Sequence, residues 1–223
     1  MRHRWQDHLL FVREFRANFA TTGALAPSGR PLARALTDQL RRWQAVRPAT
    51  GRSLRILECG PGTGAVTREI LPILGADDRL DLVEANVAFV DHLQRRFETD
   101  PVFARHATQC RLLHQRVEQI EGEPCYDLII SGLPLNNFQV DQVWAVLATF
   151  ERLVAPGGSL SFFEYVAVRR IRSLVGRKAD RHRLRGIGRL LEQLFERHAS
   201  HRQMILPNVP PAWVHHVNIA PPA

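Results

Sequence analysis

Two acids and three glycines carry the chemistry that this chain advertises: Glu58, Gly60, Gly62, Gly64 and Glu84. An apolar run, Leu54 to Leu57, reads as a buried strand that ends at Glu58 and the glycines, and Ala65 to Leu74 reads as a helix. Glycines at a strand-to-helix turn let a ligand approach the backbone while the chain folds back tightly. In open α/β sheets such a turn lies at the carboxyl end of a strand, where ligands bind. About twenty residues on, Leu80-Asp-Leu-Val-Glu84 ends in a carboxylate, a spacing that suits acceptance of hydrogen bonds from ribose hydroxyls. Gly60-x-Gly62-x-x-Ala65 also satisfies the dinucleotide pattern, and glycine turns open many α/β helices that bind nothing.

The elements that must position these residues alternate from Leu54 onward. Strands are expected at Leu80–Val83, Arg111–His114, Tyr126–Ser131 and Gly158–Tyr165, the last preceded by an Ala155-Pro-Gly-Gly158 break. Helices are expected at Asn86–Phe97 and Val140–Leu153, the second with Val143, Trp144, Leu147 and Phe150 on its apolar side. A helix over Gln193–His201 and closing strands at Gln203–Leu206 and Trp213–Ile219 follow. The alternation predicts a doubly wound, mostly parallel α/β sheet. Ahead of it, Met1 to Phe19 reads as an amphipathic helix, with Trp5, Leu9, Val12 and Phe19 at helical spacing and Arg2, Arg4, Arg13 and Arg16 as charge. A second helix carries Leu32, Ala35, Leu36, Leu40 and Trp43. The expected organisation is therefore an N-terminal element, 1–47, that caps the site or lies on a membrane, and a ligand-binding domain, 53–219, with a basic helical insertion at 168–200.

A net charge of +8 asks for an anionic partner. Arg169, Arg170, Arg172, Arg177, Lys178, Arg181, Arg183, Arg185 and Arg189 face one acid, Asp180, and no aromatic stands among them to stack on single-stranded nucleic acid. Ile171, Leu174, Val175, Leu184 and Ile187 are interleaved, as in a helix or hairpin lying on a surface. Near an anionic leaflet each such basic residue contributes about 1 kcal/mol. Cys59, Cys110 and Cys125 fit neither a disulfide framework nor a zinc site, which points to a reducing cytoplasmic compartment. No run reaches transmembrane length and the N-terminus lacks signal-peptide character, so any membrane association is expected to be peripheral, at the inner face of the cytoplasmic membrane.

Glu58, the three glycines and Glu84 resemble motif I and its partner acid in the class I methyltransferases that use S-adenosylmethionine, and the Pro-Gly-Gly turn before a fifth strand is similar to that family too. The resemblance implies a Rossmann-like seven-stranded sheet and S-adenosylmethionine as methyl donor, with no metal. It implies that Glu58 faces the methionine part, that the glycines make room, that Glu84 holds the ribose, and that Val117 and Ser131 line the cofactor. The third-strand motif of the family offers an acid near the adenine, but Gln115, Arg116 and Val117 stand here, so that contact falls to main chain around Val117 or to Glu118.

Ile130-Ser-Gly-Leu-Pro-Leu-Asn-Asn-Phe138 occupies the place of the acceptor motif. Adenine amino-methyltransferases carry Asn-Leu-Pro-Tyr there; Gly132 and Leu135 replace that Asn and Tyr, which opposes an RNA or DNA adenine methyltransferase of the dimethyladenosine type, the runner-up. Ser-Gly-Leu-Pro-Leu-x-Asn-Phe resembles instead the bacterial phospholipid N-methyltransferases and the aminolipid enzymes close to them. Ala20-Thr-Thr-Gly-Ala-Leu-Ala-Pro-Ser28 and Asn208-Val-Pro-Pro-Ala-Trp213 are similar to two further elements of that family, and Gly23 and Ser28 would belong to a flap over the cofactor. Phe163-Glu-Tyr-Val running directly into the basic segment looks like the ornithine lipid N-methyltransferase branch, with phosphatidylethanolamine methylation to phosphatidylcholine as a close second.

The implied chemistry is methyl transfer to the head-group amine of a membrane aminolipid, up to three times. A free alkyl ammonium must first lose a proton, for which the carbonyls of Ser131 to Leu133, Asn136, Glu164, and Tyr165 through water are candidates. Phe138, Tyr165 and Trp213 could shelter a quaternary product by cation–π contact. Trp5, Arg13, Arg16, Arg169, Arg170 and Arg172 are the residues expected to meet the anionic membrane and the head group. A dinucleotide oxidoreductase leaves Glu58 unexplained and lacks a Tyr-x-x-x-Lys pair, since Arg169 and Ile130 stand four residues after Tyr165 and Tyr126. A catalytically silent scaffold would not need the intact acid and glycine set.

Overall fold

The structure, a computed structural model, describes residues 29–47, 51–165, 178–208 and 211–219. The first expected helix, the Ala20–Ser28 element and, with them, Trp5, Arg13, Arg16, Arg169, Arg170 and Arg172 lie outside the described residues. Seven strands form one sheet in the order β3-β2-β1-β4-β5-β7-β6. They are β1 (Arg55–Cys59), β2 (Arg79–Glu84), β3 (Cys110–His114), β4 (Tyr126–Ser131), β5 (Val154–Tyr165), β6 (Ala199–Ile205) and β7 (Ala212–Asn218). All ladders are parallel except those of β7 with β5 and with β6. Strand order reverses between β1 and β4, which opens a crevice at the carboxyl ends of those two strands.

Strands buried on both faces read as continuous apolar runs, as β4 does, and helices must cover both sides. On one face α6 (Val140–Leu153) and α7 (Lys178–Arg197) set Val143, Leu147, Phe150, Ile187, Leu191 and Leu194 against Leu57, Ile129, Leu160 and Phe162. On the other, α1 (Arg30–Leu36), α2 (Asp38–Val46), α3 (Thr67–Ile70), α4 (Val87–Thr99) and α5 (Pro101–Arg105) cover Ile56, Leu80, Leu128 and Phe163. The described part of the expected N-terminal element, 29–47, is thus packed into this core. Asn208 Oδ1, just beyond β6, accepts from Gly29 N at 3.2 Å and ties the start of α1 to the connection between β6 and β7.

Four expectations are corrected. The helix expected over Ala65–Leu74 is an α-turn, Thr67–Ile70, followed by a 3-10 turn over Leu71–Ile73, because Pro72 has no N–H to continue an α-helix. The Pro-Gly-Gly turn does not precede β5 but sits inside it, where the register with β4 shifts and Gly157 takes φ +76°. Helix ends at Arg197 and β6 starts at Ala199, so the stretch expected to be helical to His201 is already strand. Trp144, expected in the core, is 62% exposed on α6.

Candidate active site

β1 delivers Glu58 to the crevice and β2 delivers Glu84. Both strands alternate so that these acids share the face of Ile56, Leu80 and Leu82. Glu58 is 1% exposed; its Oε2 accepts from Thr67 Oγ1 at 2.7 Å and its Oε1 has no partner among the described residues. Burial pushes its carboxyl up to about 8, against the opposing pull of the Thr67 hydrogen bonds. Glu84 accepts from Gly62 N at 3.1 Å and from Asn86 N at 2.9 Å, and burial again pushes its carboxyl up. Neither acid has an ion pair among the described residues.

Gly60, Gly62 and Gly64 all have positive φ, yet their surroundings differ. A Cβ on Gly64 would touch Arg96, Leu93 and Phe103 at 3.0–3.1 Å, so this glycine serves helix packing. At Gly62 a Cβ would meet nothing within 4 Å; here the backbone faces open space beside Glu84. Arg96 of α4 holds the turn from behind, donating to Thr63 O at 2.8 Å while its guanidinium lies 3.8 Å from the Phe103 ring centre. Arg96 was not legible as a site residue, since nothing local links it to a turn more than thirty residues earlier.

The loop after β4 closes the other side. Gly132 N donates to Cys59 O at 2.8 Å, and a Cβ on Gly132 would lie 2.8 Å from Gly60 O, a distance that side chains do not tolerate. Ser131 is fully buried and its Oγ accepts from Leu133 N at 3.3 Å, so the hydroxyl helps to shape the turn. Leu135 is buried in the core. Asn136, a candidate proton acceptor, is buried, and its main-chain carbonyl accepts from Arg183 Nη1 at 2.7 Å. Val117 packs its side chain into the core and its carbonyl accepts from Ile120 N at 3.1 Å, and Glu118 pairs with Arg116 at 2.5 Å.

Glu164 and Tyr165 end β5 at the same carboxyl edge. Glu164 Oε2 stands 3.0 Å from Nε2 of the buried His215 on β7, whose ring stacks with Phe162 and Phe195. His215 carried no sequence signal, because the contact depends on the β5–β7 register. Tyr165 packs edge-on against Phe163, and burial raises its phenol above the ordinary range. Phe138 packs against the core. Arg202 already lies over the Trp213 ring at 4.6 Å, so that face of Trp213 carries a protein cation. Among the described residues no group of three or more His, Cys, Asp or Glu is placed to hold a metal, and no helix is long and apolar enough to cross a membrane.

Residues 56–158 match the family model described as a methyltransferase domain. The chain is 26% identical over 156 residues to the ornithine lipid N-methyltransferase of Singulisphaera acidiphila, covering 70% of this chain and 77% of that protein. Two solved structures share the fold. The CurJ carbon methyltransferase matches with TM-score 0.62 and 18% identity over 85% of this chain, which spans 54% of that longer chain. The O-methyltransferase TomG of Streptomyces achromogenes, in complex with S-adenosylmethionine, matches with TM-score 0.60 and 18% identity, covering 88% of this chain and 82% of that one.

Residues 56–158 thus carry a methyltransferase domain, and the match, the fold and the glycine turn together support S-adenosylmethionine as its methyl donor. The residues present fit that molecule: Glu58 offers a buried oxygen without a partner toward a cationic ligand, Gly62 leaves the turn open, and Glu84 keeps lone pairs free to accept from hydroxyls.

Proposed function

We propose that this enzyme methylates the head-group amine of a membrane aminolipid, with ornithine lipid the leading substrate and phosphatidylethanolamine the second. The observation that carries the reading is the acceptor loop. Gly132 has no room for the amide side chain that an adenine would need, and Leu135 is buried where a stacking aromatic would have to stand. The loop therefore suits an acceptor that is held by its cation and its chain, not by a base edge. The likeness to an ornithine lipid N-methyltransferase supports the same choice. Exposed Arg181, Arg185 and Arg189 on the outer side of α7 supply charge complementary to an anionic bilayer.

S-adenosylmethionine, when bound, supplies an activated methyl group. The protein's own part is to align a neutral amine and keep water out, and good alignment can be worth about 7–11 kcal/mol. The ammonium proton has to leave before transfer. Glu164, Asn136 and the main-chain carbonyls of Ser131 to Leu133 are the candidate acceptors at this edge, with Tyr165 reached through water. After repeated transfer Tyr165 and Phe138 offer ring faces to the quaternary ammonium.

The test uses purified protein, labelled S-adenosylmethionine and anionic mixed liposomes containing either ornithine lipid or phosphatidylethanolamine. Label in ornithine lipid alone is the expected result. Label in phosphatidylethanolamine alone moves the enzyme to the phosphatidylcholine makers. Label in neither, with cofactor binding intact, overturns the lipid reading and brings RNA forward as acceptor.

A further inference from the structure

Most arginines of the basic segment that the structure describes point to solvent, but Arg183 does not. Its side chain is 12% exposed, while Arg181, Arg185 and Arg189 are exposed. Arg183 Nη1 donates to Asn136 O at 2.7 Å and to Phe138 O at 2.8 Å, and Nη2 stands 3.6 Å from Asp180 Oδ1. One turn further along α7, Gly186 lies against Val140, the first residue of α6; a Cβ at Gly186 would come within 2.7 Å of Val140 Cγ2. The missing side chain lets the two helices approach, and that approach brings the guanidinium over the loop.

We infer that Arg183 is a positioning residue that fixes the acceptor loop, 132–138, over the methyl-transfer site. This rests on the reading of that site as one of methyl transfer. The loop is anchored at its start by Gly132 N on Cys59 O, directly behind the glycine turn. Its middle is held by its own short turns, Asn137 N to Pro134 O at 2.8 Å and Phe138 N to Leu135 O at 3.1 Å. Those turns fix its local shape but not its distance from Gly60. Arg183 supplies the second anchor, from the side away from β1. Both carbonyls take the two N–H bonds of one nitrogen, Nη1, while Nη2 faces Asp180; the rigid plane of the guanidinium aims these donors together, whereas an ammonium is a freely rotating point charge on a different stem and cannot serve all three groups with the same geometry. A charged donor on uncharged carbonyls also makes shorter and stronger bonds than an amide would. Because the same helix carries the outward arginines, the loop is tied to the surface on which an anionic head group or bilayer would rest.

The experiment compares wild type with Arg183→Ala, Arg183→Lys and Gly186→Ala by three readouts. Hydrogen–deuterium exchange of the 133–138 segment, with no ligand present, reads the loop directly. In R183A exchange there is expected to rise at least tenfold, with β1 and β4 unchanged. Calorimetry is expected to give a cofactor affinity within about twofold of wild type, while kcat for lipid methylation falls at least tenfold. R183K recovers a minor part, and added guanidinium, but not ammonium, restores R183A. G186A moves in the same direction by a smaller factor. Unchanged loop exchange in R183A overturns the inference, as does a fall in cofactor affinity that matches the fall in kcat. If R183A does not fold, the R183K exchange and kcat decide by the same criteria. The exchange arm needs no lipid, so a wild type that methylates no aminolipid sinks the function proposed above and leaves the clamp to be judged on its own.

Discussion

The two ends of the sheet treat buried acids in opposite ways. At the amino end each is met by arginine. Asp78 accepts from Arg47 and Gln44 at 2.6 Å, from Gly75 N at 2.7 Å and from Leu54 N at 2.8 Å, and its carboxyl is held below the usual range. Asp127 takes both arms of Arg52 and the Arg55 N–H, and Asp81 takes both arms of Arg111 with the Tyr126 hydroxyl. At the carboxyl end Glu58 and Glu84 have hydroxyl or main-chain donors and no cation among the described residues, and burial pushes both carboxyls up. Acids that fasten loops to strands are neutralised within the fold. The acids beside the glycine turn are left uncompensated, the pattern expected of groups proposed to meet a cationic or hydroxyl-bearing ligand.

The largest effect should come from breaking the fastened end. Asp78→Ala strands Arg47 and two buried N–H groups and is expected to cost about 3–5 kcal/mol in denaturant unfolding. Glu58→Gln, at the open end, should leave the fold as stable or more so; equal losses at both ends would break the comparison.

His216 extends the comparison to a buried base. It is 1% exposed, holds Ser161 Oγ at 2.7 Å, and is pushed down to about 4 by burial and by the stacked His201. A base with a lowered folded pKa leaves stability intact above its unfolded value near 6.5, and stability is then lost as pH falls toward 4. The expected loss is about 3 kcal/mol across that window. His216→Gln should flatten it in unfolding curves taken from pH 7 to 4.

Glu84→Ala should lower S-adenosylmethionine affinity about 10–100-fold in calorimetry, as expected for about 1.5–3 kcal/mol of charged hydrogen bonding. Its effect on unfolding should be small, because it holds no cation.

Most specific to the open end is the proton on Glu58. With its carboxyl raised to about 8, the folded free protein binds a proton that the unfolded chain releases above about 4.5, so stability falls as pH rises through that interval. A cationic ligand beside Oε1 favours the carboxylate, so binding at pH 7 should release up to one proton. Calorimetry in buffers of differing ionisation enthalpy reads this directly, and E58Q should abolish it.

Strand and turn were legible because their signals are local. Glu58 and Glu84 were found by type and spacing, and the loop after β4 by its position in the alternation of elements. The basic segment was legible as a charged, apolar-interleaved helix lying on a surface, but its spacing did not separate the inward Arg183 from Arg181, Arg185 and Arg189, nor show that Leu184 and Ile187 are buried within the protein. Trp144 misled for a related reason, since its helical spacing matched the core side of α6 while the packing of α6 against α7 and the sheet turned it outward.

By itself the sequence determined the alternation of strands and helices and the glycine turn, and it placed Glu58 and Glu84 at the ends of adjacent strands, since backbone preference and hydrophobic period act between neighbours a few residues apart. The tertiary structure alone decided which acids are neutralised, which arginine turns inward and which histidine stands against Glu164. Those pairings join residues 30 to 75 positions apart. Their strength comes from burial and distance, which exist only once the sheet has closed.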